Sequence, residues 1–226
     1  MLRKIIDYPH LKRLDNIIQW QEFDTFTKES VSQHSYKVAI FARILLEDIF
    51  GDYSSKEVLK FKLEVVTRAL LHDWDEALLL RDISHETKYN GYNGTELRRV
   101  LDDFSAYKSV EDFWSEYKGE EGTSRMLINN IQGKPEPVYS FVKICDWIAL
   151  YFYMKRERDL GNHNLDHSWN IARENFVKYI DYTIKLLNEK FENEEKDYTE
   201  LLNLKTLFNL SLIHISEPTR RSYISY

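Results

Sequence analysis

The sequence predicts an all-α protein, a single helical bundle over residues 1–209. Three observations carry that expectation. Turn formers are scarce, with Gly 7 and Pro 4 in 226 residues, so a sheet protein with many tight turns has little to be built from. Apolar residues recur three and four apart along most of the chain instead of alternating. Hydrophobic residues at 43% and charged residues at 30% supply one core and a solvated surface, in a length that suits one domain better than two.

A first helix is predicted from about Tyr8 to Phe23, with Leu11, Leu14, Ile17, Ile18 and Phe23 on its buried side. A second starts after Ser30, buries Val31, Val38, Phe41, Ala42, Leu45 and Ile49, and stops at Gly51. The Ser54-Ser55 pair can cap a third, in which Val58, Phe61, Val65, Ala69, His72 and Glu76 share one face. From Leu80 to Thr95 the pattern gives way to a polar loop with Asn90-Gly91 and Asn93-Gly94, the kind of long irregular segment that often lines a site. Helices resume over about Glu96 to Tyr107, Val110 to Tyr117 and Ser124 to Ile131. Pro135 and Pro137 set off another over about Val138 to Arg158. A long amphipathic helix from Leu165 to Phe191 follows, striped by Trp169, Ala172, Phe176, Ile180, Leu187 and Phe191, and a last one starts near Tyr198.

Net charge is 31 − 37 = −6 without a run of like charge, which argues against polymeric nucleic acid or an anionic membrane as partner. A small anionic substrate needs only a few local cations or a metal. The single Cys145 sits in an apolar stretch and supports no disulfide framework, which fits a reducing cytoplasm. Met1-Leu2-Arg3-Lys4-Ile5-Ile6-Asp7 lacks the apolar core of a signal peptide, and the longest apolar run, around Ile148 to Met154, is too short to cross a bilayer. Leu210-Ser211-Leu212-Ile213-His214-Ile215-Ser216-Glu217-Pro218-Thr219-Arg220 resembles the conceptual translation of a transposase-type sequencing adapter. Residues 210–226 are therefore set aside as a non-native tail, and His214 is no ligand candidate.

Four polar residues break apolar helices. His34 lies on the stripe of Val31, Val38, Phe41 and Leu45, so its ring points inward. A lone inward His is usually a hydrogen-bonded core residue. His72-Asp73 follows Ala69-Leu70-Leu71, and a buried Asp carries a desolvation cost unless paired or metal-bound. Successive helical residues are about 100° apart, so both can reach one ion only at the edge of the stripe. Asp146 stands in Val142-Lys143-Ile144-Cys145-Asp146-Trp147-Ile148-Ala149-Leu150 on the face of Val142, Cys145 and Ala149. One divalent metal, Co²⁺, Mn²⁺, Fe²⁺, Mg²⁺ or Zn²⁺, would account for all four, and a mixed nitrogen and oxygen set with open positions suits catalysis better than a closed structural site.

The order His34, His72-Asp73, Asp146 resembles the HD-domain phosphohydrolases, all-helical enzymes that bind a divalent metal through these residues. Glu29-Ser30-Val31-Ser32-Gln33-His34-Ser35 resembles the Glu-Asn-Val-Ser-Glu-His-Ser stretch of bacterial 5′-deoxynucleotidases and related phage dATP triphosphohydrolases. Trp20, fourteen residues before His34, stands where those enzymes carry a Trp that disfavours a ribose 2′-hydroxyl. His72-Asp73-Trp74-Asp75-Glu76-Ala77 is similar to their His-Asp-x-x-Glu-x signature, and Asp82 stands where they place an Asp near the sugar and nucleophile. The resemblance spans roughly Leu11 to Leu150 and implies a single HD-domain bundle in the cytoplasm of a bacterium or phage-infected host, working as a homo-oligomer on a small deoxynucleotide.

Two departures concern phosphate recognition. The family's Arg before the Trp is Gln19 here, and its Gly-Asp-x-Pro-Thr-Pro is replaced by Arg81-Asp82-Ile83-Ser84-His85-Glu86. Arg81, Lys88 or Lys37 is a candidate replacement cation, and so is the metal itself with fewer protein contacts to the phosphate. The resemblance implies that Glu76 positions or deprotonates the attacking water or protonates the leaving alkoxide, with Asp82 a helper at the 3′-hydroxyl. His85 alone falls between the HD pair and Asp146, too few for a second metal, and His163 and His167 read as surface or capping residues. The expected reaction is hydrolysis of deoxynucleoside 5′-monophosphates; the alternatives are release of triphosphate from a dNTP, and a non-catalytic nucleotide-binding HD domain.

Overall fold

A computed structural model describes residues 9–21, 23–51, 55–73, 76 and 137–210, and among these the regular structure is helical, with no strand. Six helices follow in order: α1 (Pro9–Asn16), α2 (Val31–Phe50), α3 (Lys56–Leu71), α4 (Pro137–Asp159), α5 (Asp166–Lys190) and α6 (Thr199–Leu210). The loop and helices expected between Leu80 and Ile131 lie outside the described residues. So do residues 211–226 of the expected tail, whose first residue, Leu210, closes α6.

Local chemistry accounts for most helix ends. Ser30 has extended backbone, its Oγ accepts the Gln33 N–H at 3.3 Å, and Gln33 Oε1 accepts the Ser30 N–H at 3.0 Å, so two otherwise orphaned donors at the start of α2 are satisfied reciprocally. Gly51 ends α2 with φ 65° and ψ −173°, a conformation that side-chain-bearing residues rarely adopt. Ser55 caps α3 by accepting the Val58 N–H at 3.3 Å. Pro137 opens α4, where its missing N–H costs no hydrogen bond.

α4 is the central helix. Val138, Phe141, Val142, Ile144, Cys145, Ile148, Ala149 and Met154 are all buried, which takes in nearly every face of the helix. α2 and α3 pack on each other and both lean on α4, while α5 covers α4 and carries α6. Phe50, Phe61, Phe141 and Phe191 meet edge to face in the core, and each buried ring contributes on the order of 1.5–3 kcal/mol. Lys62 is buried and donates to Glu47 at 2.9 Å and to the Gly51 carbonyl at 2.7 Å, which ties α3 to the end of α2.

Two expectations are corrected. The first helix stops at Asn16 instead of reaching Phe23. Beyond it the chain pairs with a distant partner: Ile18 and Ser30 form an antiparallel bridge, Gln19 N–H donates to the Glu29 carbonyl at 2.8 Å, and Val31 N–H donates to the Ile17 carbonyl at 2.9 Å. The third helix stops at Leu71, with His72 as its C-cap and Asp73 in a turn, instead of running on through Glu76. Glu76 N–H donates to the Asp73 carbonyl at 3.1 Å, three residues back.

The segment between the two residues of the bridge is held by the end of α4. Glu157, fully buried near the end of α4, accepts the N–H groups of Phe26 at 2.8 Å and Thr27 at 2.7 Å, the Thr27 hydroxyl, and Asn162 Nδ2 at 2.7 Å. Asn162 also donates to the Asp24 carbonyl at 2.7 Å, and the Tyr153 hydroxyl to the Thr27 carbonyl at 2.9 Å. Burial opposes ionisation of Glu157, yet these donors hold its carboxyl below the ordinary glutamate value.

Candidate metal centre

A small apolar group of Leu14, Ile17 and Val31, with Leu71 packed against it, joins the end of α1, the start of α2 and the end of α3. Val31 lies one turn before His34 and Leu71 directly before His72, so this packing fixes where both imidazoles start. Asp146 reaches the same place from α4.

His34 Nε2 is 3.0 Å from Asp146 Oδ1 and 4.0 Å from Asp73 Oδ2. His72 Nε2 is 2.9 Å from Asp73 Oδ2 and 3.7 Å from Asp146 Oδ1. One divalent ion with bonds of about 2.1 Å sets adjacent octahedral ligand atoms about 3.0 Å apart and opposite ones about 4.2 Å apart, and all four separations fall close to this range. His34, His72 and Asp146 each offer a donor atom within 4.8 Å of the others. The turn at His72-Asp73 removes the difficulty of two neighbouring residues serving one point, because Asp73 has left the regular helix.

The tautomers also fit. His72 Nδ1–H donates to the Ala69 carbonyl at 2.8 Å, which leaves the Nε2 lone pair facing the cluster. Nε2 is buried and makes no hydrogen bond of acceptable angle, although Asp73 Oδ2 is 2.9 Å away. An orphaned imidazole nitrogen aimed among carboxylates is what a metal ligand looks like without its metal. His34 has its Nδ1 3.7 Å from Glu29 Oε1, a carboxylate–imidazole pairing that commonly orients a ligating histidine. Glu29 is itself buried and paired with Lys37.

The electrostatics describe two imidazoles surrounded by carboxylates. Burial alone would push His34 down, but the hydrogen bond to Asp146 and the nearby Glu29 carboxylate raise it to about 9. Burial likewise opposes a charge on His72, and Asp73 and Asp146 together lift it to about 10. Asp146 is driven the other way: burial would raise it, and Lys143 with the two imidazoles holds it well below the ordinary aspartate value. Burial and the adjacent Asp146 push the Cys145 thiol well up, so it is an inert core group.

Gln19 and Trp20 follow the Ile18–Ser30 bridge, and the Gln19 hydrogen bond to Glu29 sets them beside the start of α2. Trp20 has φ 62°, a left-handed conformation that costs a bulky residue about 1–2 kcal/mol and persists where the surroundings impose it. Its ring is half-buried, 5.9 Å from Phe23 between centroids. Glu76 is buried just after the His72-Asp73 turn. Asp82, Arg81, Lys88 and His85 lie outside the described residues. Lys37 is engaged by Glu29, and His163, exposed, bonds Asp166 at the start of α5. Sequence reading passed over Glu29 and Lys143, although both stood inside the stretches that carried the resemblance.

A family model described as 5′-deoxynucleotidase YfbR-like matches residues 8–194. The chain belongs to the YfbR-like 5′-deoxynucleotidase family. This YfbR-like chain is accordingly an enzyme of the HD superfamily of metal-dependent phosphohydrolases, with an all-α HD-domain fold. An HD-domain phosphohydrolase from Listeria innocua, known from a crystal structure, superimposes with a TM-score of 0.52 at 20% identity, over 90% of this chain and 97% of that one. No curated protein gave a significant match. Among the described residues, no helix is long and apolar enough to cross a membrane.

Proposed function

We propose that this YfbR-like protein hydrolyses deoxynucleoside 5′-monophosphates to the deoxynucleoside and inorganic phosphate. The observation that carries the reading is that His34, His72 and Asp146 bring donor atoms within 4.8 Å of one another, with Asp73 Oδ2 2.9 Å from His72 Nε2 and the Trp20 segment fastened beside them. These four residues would hold one divalent cation. Bound there, the cation supplies Lewis acidity toward the phosphate and a coordinated water acidic enough to act near neutral pH.

The chain's own residues then have distinct tasks. His72, locked by Ala69, and His34, backed by Glu29, present fixed lone pairs and do not compete as proton donors. Glu76, buried beyond the turn, takes the proton from the attacking water and returns it to the departing 5′-oxygen as the P–O5′ bond breaks. Trp20 closes over the sugar and disfavours the 2′-hydroxyl. Gln19, Arg81 and Lys88 complete the substrate's surroundings, with Asp82 on the 3′-hydroxyl. The reading further includes a cytoplasmic homo-oligomer and a native domain over residues 1–209, with residues 210–226 as a non-native tail.

The test is an assay with Mn²⁺ or Co²⁺ against dNMPs, NMPs and dNTPs, scoring phosphate and triphosphate separately. Phosphate release from dNMPs that EDTA abolishes is expected. Triphosphate release from dNTPs with no dNMP turnover would replace this substrate with the phage-type one, and no turnover of any would overturn the enzymatic reading. Light scattering checks the oligomeric state.

A further inference from the structure

The ordinary place for a phosphate-binding cation in this site, the residue before Trp20, is the uncharged Gln19. Among the described residues, a dianionic phosphate beside a cation held by carboxylates calls for a second positive partner. Lys37 is bound to Glu29 and faces solvent along almost half of its side chain. On α4, one turn before Asp146, Lys143 lies differently: its side chain is 19% exposed and its Nζ is 2.9 Å from Asp146 Oδ2. Asp146 Oδ1 faces the two imidazoles, so a single carboxylate spans the gap between the ligand cluster and the ammonium.

That arrangement fixes the spacing of two positive centres. With Oδ1 at a bond length of about 2.1 Å from a cation, the ammonium on Oδ2 stands roughly 4–5 Å from that cation. A phosphoryl group can bridge that interval by giving one oxygen to each centre. Lysine suits the task as a compact charge with three rotatable donors, able to turn one N–H to the phosphate while another stays on Asp146.

We propose that Lys143 is a phosphate-binding cation of this site and serves the role left open by Gln19. The inference rests on the phosphohydrolase reading above. The competing role, a mere counter-ion that holds Asp146 in place, makes an opposite demand on the metal. Removing an ammonium beside a ligand carboxylate leaves metal affinity unchanged or tighter on charge alone, whereas loss of a scaffold weakens it.

The probes are inorganic phosphate and Co²⁺, each measured by calorimetry on the full-length wild type, Lys143→Gln and Lys143→Arg, the phosphate titration on Co²⁺-loaded protein. Lys143→Gln is expected to weaken phosphate binding about tenfold while Co²⁺ affinity holds within threefold or rises, and Lys143→Arg should recover most of the phosphate affinity. Unchanged phosphate binding in Lys143→Gln overturns the proposal, as does a fall in Co²⁺ affinity that matches the fall for phosphate. Should Lys143→Gln fold poorly, Lys143→Met compared with Lys143→Arg gives the same reading. Lys143-dependent phosphate binding in a wild type that turns over no dNMP keeps this assignment and removes the proposed substrate.

Discussion

Replacing Glu157 with alanine should destabilise the protein by about 3–5 kcal/mol, the cost of leaving a buried network of donors without its shared acceptor. The carboxylate is fully buried and accepts from Phe26 N–H, Thr27 N–H, the Thr27 hydroxyl and Asn162 Nδ2. A hydrogen bond to a charged acceptor contributes about 1.5–3 kcal/mol, so four independent ones would sum to roughly 6–12 kcal/mol. They are not independent: Thr27 uses two donors on one oxygen, Asn162 keeps its bond to Asp24, and the vacated space can admit water. The network value is therefore the better figure. Urea unfolding followed by far-UV circular dichroism measures it, and the melting temperature should fall by about 6–20 °C for a chain of this size. The pH dependence has a definite sign. A carboxyl held below its ordinary 4.5 stabilises the fold above that value and ceases to do so as pH falls through its lower folded value, so wild type and Glu157→Ala should converge in acid. A loss under about 1 kcal/mol at neutral pH would show that these donors are served by water and that the 24–27 segment is not held by α4.

Asp73→Ala should remove metal binding, seen as loss of bound Co²⁺ by elemental analysis and of EDTA-sensitive turnover by at least about a hundredfold, as expected when a coordinating carboxylate goes. In EDTA-treated protein, His34 at about 9 and His72 at about 10 lie above the free value of 6.5, so their stabilisation is complete below 6.5 and is lost as pH rises through 9 and 10. Thermal melts should show that decline, while Co²⁺ affinity rises over the same window as protons leave the imidazoles; a flat profile for both would contradict the site's charge pattern. Trp20→Ala should narrow the preference for dAMP over AMP, and an unchanged ratio of kcat/KM refutes its role at the sugar. Gly51→Ala should cost about 1–3 kcal/mol by urea unfolding through backbone strain alone, since a Cβ there meets nothing within 4 Å.

What could be read from the sequence was whatever is encoded locally. Ser30, Gly51 and Ser55 mark helix ends through their own hydrogen bonds or torsions, and the stripes of α2, α4 and α5 show at spacings of three and four. The end of α1 was hidden because the partners of Ile17, Ile18 and Gln19 lie at Glu29 to Val31, too far along the chain for periodicity to register. The stop at His72 was hidden for another reason: Val65, Ala69, His72 and Glu76 keep helical spacing although the backbone turns at Asp73. The ligand residues stood out as inward polar groups, but their tertiary partners did not. Glu157 sits in Arg156-Glu157-Arg158-Asp159, which reads as a solvated run, and only the chain folded over it makes it a core residue.

The contact between His34 and Asp146 joins residues 112 positions apart. Closing a loop of that length carries an entropic cost that no single helix offsets, so the contact depends on the packing of α2, α3 and α4 on one another. A cation held there acts as a reversible cross-link on a finished bundle and favours the assembled state by mass action. The absorption of Co²⁺ in such a mixed nitrogen and oxygen site would thus report the assembled bundle itself, since the ligands come from three helices that only the folded chain brings together.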